Sequence, residues 1–65
     1  MSSNIGSVRY DKKSDSWFED LRWKGERHRI FRMPIQGGML IQCTSEDMGN
    51  ALKIVINTQI DMGIF

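Results

Sequence analysis

Arg22, Arg27 and Arg29 are the residues of this chain whose type and spacing best fit a ligand. Each guanidinium is a fixed fork of donors that can grip a phosphate, or the O6 and N7 edge of guanine, with two parallel hydrogen bonds. Their spacing acquires meaning if Lys24-Gly25 is a two-residue turn, since Gly25 can take the positive φ such a turn needs. Lys24 is a less apt turn residue than Asn or Asp, so a longer loop is the alternative. With the tight turn, Trp23 faces Glu26, Arg22 faces Arg27, Leu21 faces His28 and Asp20 faces Arg29. Side chains alternate faces with period two. Phe18, Asp20, Arg22, Arg27, Arg29 and Phe31 then share one face. Trp17, Glu19, Leu21, Trp23, His28 and Ile30 share the other. The first face sets arginines around one carboxylate. Like charges directly opposite each other destabilise a sheet, so a ribbon that keeps Arg22 against Arg27 is a candidate for binding an anion.

The chain offers little other chemistry. Cys43 is its only cysteine and His28 its only histidine. A disulfide within the chain and a thiolate zinc site are therefore excluded, and no metal or other cofactor is expected. There is no paired-carboxylate cleft and no nucleophile beside a base, so an enzyme is not expected. His28 reads as a packed residue and Cys43 as a small buried apolar one. The single cysteine fits a reducing cytoplasm, where the protein is expected. No apolar run approaches the roughly 20 residues of a membrane span, and the N-terminus lacks the pattern of a signal peptide, so no membrane partner is expected.

The elements that must hold the arginines follow from the pattern. Residues 1–65 make one small domain with a thin core. Met1 to Asn4 is polar and expected to fray. Gly6 to Tyr10 reads as a first strand, with Val8 and Tyr10 toward the core and Arg9 on the basic face. Asp11 to Asp15 is a polar turn that carries Lys12 and Lys13. Ser16 to Arg32 supplies the second and third strands, in an antiparallel meander. Pro34 ends the third strand or marks an edge. Gln36-Gly37-Gly38 is a further turn, and Met39 to Cys43 reads as a short strand. Thr44 is the expected N-cap of a helix near residues 45–61, with Glu46 and Asp47 in its first turn. Met48, Ala51, Leu52, Val55 and Ile56 form its apolar stripe, Gln59 and Ile60 extend it, and Gly63 stops it. The helix covers the Trp17, Leu21, Trp23 face. The expected fold is α+β: a three-stranded antiparallel sheet, four-stranded if Met39 to Cys43 joins it, packed against one C-terminal helix.

Charge is unevenly spread. The net charge is only +1. Residues 9–32 hold eight Lys or Arg against five acids, a net +3, while residues 33–65 hold Lys53 against Glu46, Asp47 and Asp61, a net −2. The basic excess thus belongs to the expected sheet. A B-DNA major groove about 12 Å wide admits a two-stranded ribbon. Arg22, Arg27 and Arg29 are the groove-facing candidates, Lys12, Lys13 and Lys24 in the turns are the phosphate candidates, and Arg9 on the basic face is a further DNA-binding candidate. Phe18 and Phe31 lie on the same face.

A three-stranded meander with a basic outer face, followed by one helix, resembles the N-terminal arm-type DNA-binding domain of phage and transposon integrases of the tyrosine recombinase family. The matching pieces are Gly6-Ser7-Val8 as the first strand and the run from Trp17 to Arg29, with its aromatic-rich strand, its Lys24-Gly25 turn and its alternating arginines. The closing run from Ile60 to Phe65 resembles the Gly-x-Phe that ends the helix in one branch of these domains. Residues 33–43 are longer and more apolar than the usual link in that family. The resemblance implies binding of duplex DNA at arm-type sites, with the sheet in the major groove, in support of site-specific recombination and integration of phage DNA. It implies other integrase protomers as further partners. It also implies that catalysis lies in a separate domain of a longer integrase; Tyr10, the only tyrosine, sits in the first strand and does not match the nucleophile.

Two other classes stand beside this reading. One is a protein-interaction module using the sheet edge or the apolar segment 33–43. The other is a single-stranded nucleic-acid binder with Phe18 and Phe31 as stacking platforms. The bland alternative is an arginine strand that is merely a solvated face. A one-residue slip of register would move the two phenylalanines into the core.

Overall fold

The turn at Lys24-Gly25 closes with two residues, both at positive φ, 52° for Lys24 and 81° for Gly25. This is the mirror-image geometry that matches the twist of the flanking strands. A lysine therefore adopts the left-handed conformation, and the longer loop is not used. In the computed structural model, which describes residues 3–65, the turn joins β2 (Ser16–Trp23) to β3 (Glu26–Ile30). The register is Trp23 with Glu26, Arg22 with Arg27, Leu21 with His28 and Asp20 with Arg29. β1 (Ser7–Asp11) lies on the other edge of β2, antiparallel, pairing Val8 with Glu19, Arg9 with Phe18 and Tyr10 with Trp17. The sheet order is β1–β2–β3.

One helix, α1 (Glu46–Met62), covers one face of this sheet, and the fold is α+β. Its N-cap is Ser45, whose Oγ accepts from Met48 N at 3.2 Å. Thr44, the expected cap, is one residue too early; its Oγ1 lies 3.4 Å from Met48 Sδ instead. The stop falls at Gly63 as expected, at φ 74°. Gly63 N and Ile64 N bond back to Ile60 O and Gln59 O, satisfying carbonyls the helix leaves open. Leu52, Ile56 and Ile60 are buried and meet Leu21 and Cys43 in the core, with Trp17 and Trp23 packed at its margin. Burying one such aliphatic side chain contributes about 1.5–3 kcal/mol. Helix and sheet are in close contact at Gly49, where an added Cβ would stand 2.6 Å from Val8 Cγ1 and 3.4 Å from Trp17 Cβ.

The segment after β3 departs from expectation. Arg32–Pro34 (β4) and Leu40–Gln42 (β5) pair with each other as a separate two-stranded sheet, closed by the Gln36–Gly38 turn. Met39 to Cys43 is thus not a fourth strand of the main sheet. Its strand partner is β4, and among the described residues its backbone is tied to β2 only at Cys43, through a single bond. Cys43 N donates to Phe31 O at 3.2 Å and its O accepts from Trp17 N at 2.9 Å. The fully buried Cys43 therefore fills the fork where the chain after β3 leaves β2.

The N-terminal segment is also more ordered than its composition suggests. Asn57, buried in α1, accepts from Ile5 N at 2.7 Å and donates from Nδ2 to Ile5 O at 3.1 Å. Ser3 donates from its backbone N and its hydroxyl to Asp61. Of the stretch expected to fray, Met1 and Ser2 lie outside the described residues.

Candidate nucleic-acid interface

Period-two alternation sorts the sheet into a face covered by α1 and an open face. The open face presents Arg9 from β1, Phe18, Asp20 and Arg22 from β2, and Arg27 and Arg29 from β3. Arg9, Arg22, Arg27 and Arg29 are exposed. With Gly6, Ser7 and Asp20, three of them (Arg9, Arg22 and Arg27) line a shallow groove of about 310 Å³.

The electrostatics of the groove turn on Asp20. Arg27 donates to it from Nε at 3.2 Å and from Nη2 at 2.9 Å. This is a two-point grip across the diagonal of the ladder. Arg9 Nε stands 3.6 Å away on the other side. The Arg27 hydrogen bond, with the charges of Arg27, Arg29 and Arg9, holds the Asp20 carboxyl below its ordinary value, so it is ionised at neutral pH. The same contact raises Arg27. Asp20 thereby relieves the repulsion between Arg22 and its cross-strand partner Arg27. Among the described residues Arg22 and Arg29 form no ion pair. The arginines thus fall into two kinds: Arg27 and Arg9 engaged by a carboxylate, Arg22 and Arg29 not.

The two turns carry the lysines to opposite ends of β2. Lys12 and Lys13 lie in the β1–β2 turn, where Asp11 accepts from Ser14 Oγ at 2.7 Å and caps Lys13 N at 3.4 Å. Lys24 lies in the β2–β3 turn, its Nζ 6.0 Å from the Trp23 ring centroid. All three lysines are exposed.

The two phenylalanines need correction. Their rings stack on each other, centroids 4.6 Å apart and 24° from parallel. Phe18 is buried and Phe31 half-buried. The two rings thus cover each other. Each ring's nearest stacking partner is the other ring, which removes Phe18 as a surface for DNA or a free base. Tyr10, expected toward the core, lies on the covered side against Trp17, centroids 5.4 Å apart, but it is 46% exposed, with its hydroxyl on Asp15.

Two polar residues that the sequence pattern does not single out join the open side. Arg32 and Gln42 are Cα partners across β4 and β5, and both are exposed. With Ser14, Ser16 and Phe31 they line a second depression of about 330 Å³. Only the pairing of Arg32 with Gln42 brings Gln42 there, and no local pattern announces that pairing.

The covered face holds an unexpected group. Glu19 is fully buried, and neither carboxylate oxygen has a hydrogen-bond partner. Burial pushes its pKa up to about 7, against the opposing pull of Lys53. Among the described residues no group of three His, Cys, Asp or Glu side chains could hold a metal, and no helix is long and apolar enough to cross a membrane. Compared with family models, curated proteins and solved structures, the chain matches none of them.

Proposed function

We propose that this chain is a duplex DNA-binding module that uses the open face of its three-stranded sheet. The observation that carries the reading is the uncovered β2–β3 ribbon bearing Arg22 and Arg29, neither in an ion pair among the described residues, beside an Arg27 already oriented by Asp20. A two-stranded ribbon fits the major groove, where a guanidinium reads guanine through two hydrogen bonds. Lys12, Lys13 and Lys24 flank the ribbon at both ends, as phosphate-neutralising groups would. The resemblance to integrase arm-binding domains supports the same reading. Under it the module serves site-specific recombination, with the chemistry carried by another domain.

The test is a duplex titration at several salt concentrations, with amide shifts mapped along the chain. Affinity should fall by roughly 0.9 log units per decade of salt for each phosphate neutralised. Arg29→Ala should reduce discrimination between sites by about 1–3 kcal/mol for each base it reads. Lys12→Ala or Lys24→Ala should weaken all sequences alike and flatten the salt slope. Shifts confined to α1 and the Pro34–Leu40 stretch, with β2 and β3 unmoved, would overturn the reading. They would favour a protein-interaction module, for which the exposed Met39 and Leu40 are the supporting observation.

A further inference from the structure

The segment before β1, residues 3–6, crosses the covered face and is held there from α1 by two side chains. Asn57 grips both backbone groups of Ile5: its Oδ1 accepts from Ile5 N at 2.7 Å and its Nδ2 donates to Ile5 O at 3.1 Å. Nδ2 also donates to Lys53 O at 2.9 Å, which fixes the amide on its own helix. One turn further along, the Asp61 carboxylate accepts from Ser3 N at 2.9 and 3.1 Å. The ladder between β1 and β2 begins only at Ser7.

Gly6 seats this segment directly on Glu19. Its φ of 93° is one that a side chain would strain. A Cβ there would overlap Glu19 Oε1 and stand 2.9 Å from Leu21 Cβ. Beneath it lies a fully buried carboxyl with neither oxygen hydrogen-bonded. Such a cover suits the neutral acid and opposes the carboxylate, whose charge is far more costly to keep from water. The surrounding elements do not offset that cost. Lys53 on α1 favours the ionised form, but the two make no ion pair among the described residues. Asp20, next along β2, disfavours it. β1 sets Val8 opposite Glu19, and residues 3–6 carry no titratable side chain. Of the layers packed on Glu19, sheet and helix are held by their own backbone ladders, and residues 3–6 by side-chain clamps.

We infer that residues 3–6 form a pH-responsive strap, closed over Glu19 while that carboxyl is protonated and lifted to admit water once it ionises. Gly6 and Ser7 also line the arginine groove, so lifting the strap moves one wall of that groove, whatever the groove binds.

The test is amide exchange of the whole chain across pH, each rate referred to that of an unstructured chain, with the Glu19 carboxyl titrated directly by NMR. Glu19 titrates at about 7 when covered, against 4.5 for the ordinary group. Protection of the Ile5 amide should therefore fall by roughly 10-fold between pH 6 and pH 8. It should change little in dilute urea, because lifting the strap exposes little surface, whereas amides that exchange by global unfolding follow urea. Glu19→Gln should keep Ile5 protection constant over the same interval. Gly6→Ala blocks closure without changing any charge, and it should bring the Glu19 titration down toward its ordinary value. Ile5 protection that is flat with pH in the wild type, that falls equally in Glu19→Gln, or that follows urea as the core does overturns the inference. So does a Glu19 titration left unmoved in folded Gly6→Ala. Should Gly6→Ala fail to fold, the wild-type and Glu19→Gln profiles decide alone.

Discussion

Glu19 and Asp20 are neighbours in β2, both carboxylates, and they meet opposite fates on opposite faces of one sheet. Asp20 stands on the open face, is gripped at two points by Arg27 and is held below its ordinary pKa. Glu19 stands on the covered face, has no hydrogen-bond partner and is pushed up to about 7. One peptide unit separates a group ionised at neutral pH from one that titrates near neutrality. The cause is what covers each face. Asp20 keeps Arg27 and Arg9 within reach. Glu19 lies beneath the N-terminal segment, so close that a Cβ on Gly6 would stand within bonding range of its Oε1. The open face uses its carboxylate to orient a cation, whereas the covered face carries one that works against stability whenever it is charged.

The covered face can be broken most severely at Leu52, which is 1% exposed and central to the core. Leu52→Ala removes its packing against Leu21 and Ile56 and should cost about 2–5 kcal/mol. In a domain this small that consumes most of the stability. Chemical denaturation measures it, and a loss under about 0.5 kcal/mol would contradict helix-on-sheet packing.

A smaller effect, of the opposite sign, is expected at Glu19. Its pKa is about 7 in the folded state against 4.5 for the unperturbed group. The folded state therefore holds a proton that the unfolded chain releases. Stability is fully present below the unfolded value, declines as pH rises between the two, and levels off above the folded one. Glu19→Gln removes the charge and keeps the shape. It should raise stability at alkaline pH by about 1–3 kcal/mol, and it should flatten the decline. Denaturation midpoints across pH decide the matter. A wild-type profile that already runs flat through this window would mean that Glu19 finds a partner for its charge.

The same contrast explains how far the sequence alone can be read. Alternation about Lys24-Gly25 is a local signal, and it suffices for the register of β2 and β3 and for the sorting of Arg22, Arg27 and Arg29 onto one face. The helix stripe and the Gly63 stop are equally local. What escapes depends on contacts between distant segments. Alternation puts Phe18 and Phe31 on the open side, but their burial follows from the fork at Cys43. Arg32 and Gln42 come side by side only through the pairing of β4 with β5. Glu19 alternates onto an apolar face in plain view, but its lack of a partner depends on where Ile5 and Gly6 cross. Asn57 decides that crossing from near the far end of the chain.

The smallest expected effect sharpens the open-face side of the comparison. Asp20→Asn removes the one carboxylate that engages Arg27 and stands near Arg9. Two consequences oppose each other. The face gains one net positive charge, so duplexes of any sequence should bind a few-fold more tightly at low salt. Arg27, no longer held, becomes available to a phosphate and loses the geometry needed to read a base. The salt dependence should therefore steepen by up to about 0.9 log units per decade, while discrimination between sites declines. The pH response separates the two carboxylates further. Asp20 is ionised well below neutrality, so its effect on binding should stay constant between roughly pH 5 and 8, the interval in which Glu19 changes charge. Duplex titrations of wild type and Asp20→Asn, repeated over salt and pH, measure both. An identical salt slope and identical site preference in the two proteins would mean that Arg27 does not meet the DNA, leaving Arg22 and Arg29 to carry the contact.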